Sequence, residues 1–233
     1  MNTLTKLALG LMGQLRPEPV LDESAPTLTL PPPRTEEGRP LMQALARRRS
    51  QREFAPQPLT RPVLSDLLWA AAGINRPPLG GRTAPSALNA QEVDLYVALP
   101  EGLYLYEPRP HRLRRAVASD VRRVTGYQDF VDTAPLDLIY VANHARMRLV
   151  PADRRTPYAY AAAGAMAQNV YLYSASAGLA SVIRAWFDAS ALTKAMQLGT
   201  DQHVLLAQTV GRPARAGKTR TPAGSANAAS GRP

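Results

Sequence analysis

Four arginines and a serine crowd into six positions at Arg47-Arg48-Arg49-Ser50-Gln51-Arg52. Guanidinium forks match phosphate oxygens two at a time, and a serine hydroxyl adds a neutral donor. In an extended segment, alternation puts Arg48, Ser50 and Arg52 on one side and turns Arg47 and Arg49 to water. The chemistry such a segment offers is the grip of an anion. Four other segments could complete a ligand site. The loop Arg82–Glu92 carries Pro85, Ser86, Asn89 and Gln91, which offer donors and acceptors together. Gln168 and Asn169 interrupt the apolar run that starts at Gly164, and amides placed there need partners. Satisfying neighbouring backbone is the simpler role for those two. In Gly178–Trp186, backbone N–H groups around Ile183, Arg184 and Ala185 can face a flat molecule. Val210-Gly211-Arg212-Pro213 supplies a last cation, Arg212.

The bulk properties narrow what these groups serve. The chain has 233 residues, with 28 Lys+Arg against 18 Asp+Glu and a formal net charge of +10. That charge attracts anionic molecules. The basic residues are nevertheless scattered, and no nucleic-acid module accompanies them, so no nucleic-acid partner is expected. Cysteine is absent, which removes disulfides, thiolate metal sites and a cysteine nucleophile. His111, His144 and His203 lie far apart, without metal-ligand spacing, and no metal site is expected. No G-x-S-x-G elbow supports a serine hydrolase. No apolar run reaches the ~18 residues of a membrane span. Lys6 followed by Leu7–Gly13 faintly resembles an export signal but lacks a small-x-small cleavage site. It reads as a marginal helix. A cytoplasmic location is expected, with the periplasm or export left open.

The elements that must position these groups follow from periodicity. Residues 1–37 form an extended or disordered proline-rich arm, 38–213 one folded domain, and 214–233 a disordered tail. Leu41, Met42 and Leu45 share a short helical face. Thr60 can cap a helix with Pro62 in its first turn, a stripe of Leu64, Leu67, Leu68 and Ala71, and Gly73 at its end. Residues 93–99 alternate as a strand, and Pro100-Glu101-Gly102 turns into a second strand from Leu103 to Tyr106. A basic helix is expected next, with Leu113, Val117, Val121 and Val124 on one face. Residues 136–142 form a strand. Tyr158–Ala177 is a long helix, apolar nearly all round and therefore buried on most sides, ended by Gly178. A strand Leu179–Arg184 follows, then a helix capped by Asp188 with Leu192 and Met196 inward, then a strand His203–Val210. The expected class is α+β: a mostly antiparallel sheet sandwiched by helices, with a buried central helix.

The order of these pieces resembles the nitroreductase family of FMN-dependent flavoproteins. The residues that carry it are R-R-S-Q-R-E-F at 48–54, L-S-D-L-L-W-A-A-A-G-I-N at 64–75 and R-T-A-P-S-A-L-N-A-Q-E at 82–92. They continue with A-G-A-M-A-Q-N-V-Y-L at 163–172, G-L-A-S-V-I at 178–183 and V-G-R-P at 210–213. The L-L-W-A-A-x-G-I run looks most like the branch that contains SagB-like azoline dehydrogenases and their stand-alone relatives. The resemblance implies a nitroreductase-like homodimer with FMN held between subunits. It places Arg48, Arg49, Ser50 and Arg52 at the phosphate and ring edge, and Pro85, Ser86, Asn89 and Gln91 along the ring or ribityl chain. It sets the backbone of Ile183, Arg184 and Ala185 against flavin N5, and Gly211 and Arg212 at the phosphate. NADH or NADPH is the implied donor and a small molecule, such as a nitroaromatic or quinone, the acceptor. No side chain is implied as catalytic, because flavin N5 carries the chemistry. Two alternatives stay open: oxidation of azolines in modified peptides, and flavin binding without turnover. Where the family has a Gly-rich strand, this chain has Ala180-Ser181-Val182-Ile183-Arg184.

Overall fold

The computed structural model describes residues 24–214. The apolar stretch Leu7–Gly13 and the tail beyond Ala214 lie outside the described residues. Strands β4 (Val93–Leu99) and β7 (Leu136–Asn143) form the middle of the sheet. On one side of β4 follow β5 (Gly102–Glu107), β6 (Arg112–Val117) and β1 (Thr27–Thr29). On the other side of β7 lie β9 (Gln202–Gly211) and the edge strand β8 (Ala180–Arg184). All seven pair antiparallel, in the order β1-β6-β5-β4-β7-β9-β8. A separate two-stranded ribbon joins β2 (Ile74–Arg76) to β3 (Gly81–Arg82).

Strands β4 and β7 are buried along their whole length, because both faces of the sheet are covered. Val93, Leu95, Val97 and Leu99 of β4 join Leu136, Leu138, Tyr140 and Ala142 of β7 on the larger core. Helices α2 (Arg61–Ala72) and α3 (Ala152–Ala177) cover that side through Leu67, Leu68, Ala163, Met166 and Val170. Tyr96, Ala98, Ile139 and Val141 point the other way, onto Leu192 of the short helix α4 (Ala189–Ala195) and Met196 at its C-terminal cap. The alternation follows from the two-residue period of a strand. The Asp188 carboxylate caps α4 by accepting from the Ala191 N–H at 2.9 Å. Gly178 ends α3 in the left-handed region at φ 72°, where a Cβ would be strained. Helix α1 (Leu41–Arg47) packs across α3 near its C-terminal end.

Three expectations change. The basic helix is strand β6. Leu113, Val117, Val121 and Val124 recur at a spacing that suits a helix, but Leu113 alternates between Arg112 and Arg114, which both pair with Glu107 of β5. The long helix begins at Ala152, well over a turn before Tyr158, with Pro157 inside it. It also keeps an open face: Pro157, Ala161, Gly164 and Gln168 are exposed, and no atom lies within 4 Å of a Cβ built on Gly164.

Within the described part of the arm, Thr27–Thr29 pair as β1, and the residues after them strap onto the core. The Leu30 N–H donates to His111 O at 3.2 Å. Pro31 O accepts from Ser65 Oγ at 2.5 Å and lies 3.1 Å from His111 Nε2. The Tyr106 hydroxyl lies 2.8 Å from His111 Nδ1, and Arg34 clasps Asp66 through its backbone and guanidinium. Burial, partly offset by the Pro31 carbonyl, holds the His111 pKa below its ordinary value. His144 is lowered in the same direction, by burial first and then by His203. The folded chain therefore resists a proton that the unfolded chain accepts near its ordinary pKa. Stability from these groups is full above that pKa and falls as pH drops through it toward the lowered folded values. Melts at about pH 7.5 and about pH 5.5 should show a lower midpoint at the acid end, and His111→Phe should shrink the difference.

Candidate functional site

Past Arg47 the chain leaves α1 in an extended conformation, with Arg48 at φ −57° and ψ 123°. It then runs along the outer side of the edge strand β8. The Gln51 N–H donates to Ser181 O at 2.9 Å. Further on, the Ala55 N–H donates to Arg212 O at 2.8 Å and the Ala214 N–H to Glu53 O at 3.1 Å. Residues 48–55, 180–185 and 211–214 thus lie side by side, three of the five sequence segments.

Tyr171 of α3 is their hub, and the sequence reading missed it. Its hydroxyl accepts from the Ile183 N–H at 2.9 Å and meets Ser50 Oγ at 2.9 Å. The Arg48 guanidinium lies 5.3 Å from the centre of its ring. Arg48 and Ser50 therefore share a side, as alternation requires. A buried tyrosine must find partners for its hydroxyl, the one signal that could have marked Tyr171 in an apolar helix. Arg49, Ser50, Arg52 and Arg212 are exposed and Arg48 half-buried. Among the described residues, none of these four arginines forms a salt bridge. They form a cationic edge that keeps its charge free of ion pairs among the described residues.

The loop 85–91 is a second, self-contained unit. The Gln91 N–H donates to Ser86 Oγ at 3.0 Å, and its side-chain amide donates to Gly80 O at 2.7 Å and Asn89 Oδ1 at 3.0 Å. Leu88, Asn89 and Gln91 all hold positive φ, at 52°, 52° and 50°, a strained path for residues with a Cβ. Pro85 is exposed. Gln91 Oε1 is buried without a partner, and so are both carboxylate oxygens of Glu92. Burial pushes the Glu92 pKa up. Asn169 donates to Thr83 O at 3.5 Å, satisfying backbone at the base of this loop, whereas Gln168 is exposed and needs no buried partner. Asn169 and Tyr171 sit two residues apart on α3, about 200° around the helix. The loop and the arginine segment therefore face opposite sides of α3, and one chain does not bring them together.

Arg184 turns inward. Its guanidinium donates to Asp137 Oδ1 at 2.9 Å and Thr125 Oγ1 at 2.9 Å, and also meets Thr209 Oγ1. Arg184 is 6% exposed and Asp137 fully buried. Its side chain is therefore spent on the core, and its backbone pairs with Ala207 of β9. Ile183 spends its N–H on Tyr171, and by the two-residue alternation of a strand the next outward N–H would be that of Ala185, an exposed residue just past the end of β8. Gly211 closes the far end, where a Cβ would come 2.7 Å from Pro135 and 3.2 Å from Phe54. Gly211→Val should destabilise the fold by about 1–3 kcal/mol, since rigid neighbours cannot yield. Urea unfolding measures that loss.

Fold and site together define an α+β domain whose edge strand β8 is lined by a cationic stretch and a tyrosine hub. The sequence profile of the nitroreductase family matches residues 45–212. The chain belongs to that family. The crystal structure of a candidate nitroreductase from Ralstonia eutropha JMP134 is 52% identical, with a TM-score of 0.79, covering 86% of this chain and 95% of that one. A candidate nitroreductase of Methanocaldococcus jannaschii is 36% identical over 159 residues, 64% of this chain and 80% of that protein. A candidate nitroreductase from Desulfovibrio desulfuricans, solved in complex with FMN, shares the fold at 22% identity and a TM-score of 0.56, over 84% of this chain and 92% of that one.

Proposed function

We propose that this chain is an FMN-dependent oxidoreductase that moves reducing equivalents from NADH or NADPH to a small acceptor such as a nitroaromatic or quinone. The observation that carries this reading is the cationic edge at Arg48, Arg49, Arg52 and Arg212, which has charges to spare for a phosphate. FMN, when bound, supplies hydride and electron transfer at its N5. The residues fit that group. Arg48, Ser50 and Arg52 hold the phosphate, with Arg49 and Arg212 adding positive potential. The Ala185 N–H continues the β8 edge as the donor for N5. Ile183 and Arg184 contribute backbone shape, and the Gly211 turn keeps Arg212 beside residues 53–55.

A second subunit supplies what one chain lacks. Leu41, Met42 and Leu45 are 62%, 74% and 42% exposed on α1, beside the open face of α3. Apolar surface of this kind marks an interface. Pairing two copies across it brings Pro85, Ser86, Asn89 and Gln91 of one subunit to the arginine segment of the other. The FMN then lies between subunits of a homodimer.

Anaerobic addition of NADH or NADPH to the FMN-loaded protein should bleach the flavin, and a nitroaromatic should restore the colour. A yellow protein bleached by neither nucleotide would point to flavin binding without turnover. The azoline-dehydrogenase reading gains nothing here, because the arginines beside the edge are poor proton acceptors.

A further inference from the structure

Tyr127 and Trp186 take no part in the reading so far. Tyr127 lies just past the short turn Arg122–Val124, and Trp186 two residues beyond the end of β8. They are 58% and 69% exposed, yet their ring centres stand 5.4 Å apart at an angle of 55°. Two aromatic rings from separate segments that meet in the open give up rotamer freedom and gain little burial.

Both stand on a rigid base. Arg184, the last residue of β8, donates to Thr125 Oγ1 at 2.9 Å and Asp137 Oδ1 at 2.9 Å. Gly126, next to Tyr127, sits so close that a Cβ would come 2.8 Å from Arg184 Nε. The buried pair therefore pins the Thr125–Tyr127 turn against the end of β8. Position supplies the rest. The arginine segment runs along the outer edge of β8, with Gln51 at Ser181 O and Ser50 and Arg48 at Tyr171, whose hydroxyl holds the Ile183 N–H. β8 ends one residue later at Arg184, and Trp186 follows, so the ring pair stands just past the Arg48 end of that edge.

The geometry points to Tyr127 and Trp186 as the platform that receives the planar aromatic ring of the electron acceptor, with Trp186 setting the preference for planar over non-planar acceptors. This rests on the proposed oxidoreductase function. A supported, exposed ring pair offers one open face for stacking and one edge for a tilted contact, the arrangements that aromatic rings favour.

The test uses 4-nitrobenzoate as the probe on wild type, Trp186→Ala, Trp186→Phe and Tyr127→Ala. In the flavin-free wild type, the probe should quench indole emission saturably, and Trp186→Phe should abolish that quench, because Trp69 lies elsewhere on α2. In the FMN-loaded enzyme, KM for 4-nitrobenzoate should rise about tenfold in Trp186→Ala while FMN stays bound, and Trp186→Phe should recover most of it. The kcat/KM ratio of 4-nitrobenzoate to ferricyanide should fall by a similar factor. An unchanged KM, an equal loss with both acceptors, or a dimer that dissociates in Trp186→Ala would overturn the proposal. If wild type fails to hold FMN, the oxidoreductase reading fails separately, and the flavin-free quench alone decides the platform.

Discussion

Arg184→Ala should destabilise the protein by about 3–5 kcal/mol, the range for removing one partner of a buried ion pair. The cost comes from what is left behind. Asp137 is fully buried and would keep its carboxylate with only hydroxyl partners from Thr209. Thr125 would lose the guanidinium that ties its turn to β8. For a chain of this size the melting midpoint should drop by about 10 °C. Replacing both members, with Arg184→Met and Asp137→Leu, should recover much of the loss, because the uncompensated charge disappears with its partner. A loss under about 1 kcal/mol in Arg184→Ala would mean that the pair does not anchor the end of β8.

Arg48→Ala combined with Arg52→Ala should weaken FMN binding by roughly 100-fold to 10,000-fold. Each charge-assisted hydrogen bond to a phosphate contributes about 1.5–3 kcal/mol, and two are removed. The fold should survive. Arg52 is exposed, and Arg48 gives up only its contact with the Tyr171 ring, worth about 0.5–1 kcal/mol. Rising salt should weaken FMN binding to the wild type and much less to the double variant, since screening acts on the charges removed. Flavin titration by fluorescence at two ionic strengths reads both effects. Equal affinity in wild type and variant would move the phosphate away from this edge.

The sequence made some of this arrangement readable and hid the rest. Strands β4 and β7 are plain because the Pro100–Gly102 turn bounds one and each is a short, mostly apolar run with a single early aspartate. Strand β6 was hidden because its apolar spacing fits either geometry. Glu107, on a neighbouring strand, decides between them by pairing with Arg112 and Arg114. A three-residue strand such as β1 leaves no periodic trace. Arg48 and Ser50 followed from alternation alone, whereas Tyr171 looks like any core aromatic until the strand beside it is in place. Asp137 and Arg184 stand as charges in apolar strands, a pattern that calls for partners without naming them, and only the fold pairs the two. The opposition of loop 85–91 and the arginine segment depends on how residues turn around α3, which the order of motifs does not show.

The central claim is that the edge holding Arg48, Ser50 and Arg52 binds FMN, and the most direct measurement is the absorbance spectrum of the purified chain after incubation with excess FMN and removal of free flavin. The wild type should be yellow with one flavin per chain, and the protein with both Arg48 and Arg52 replaced by alanine should be colourless. A wild type that remains colourless, or a double variant as yellow as wild type, would contradict it.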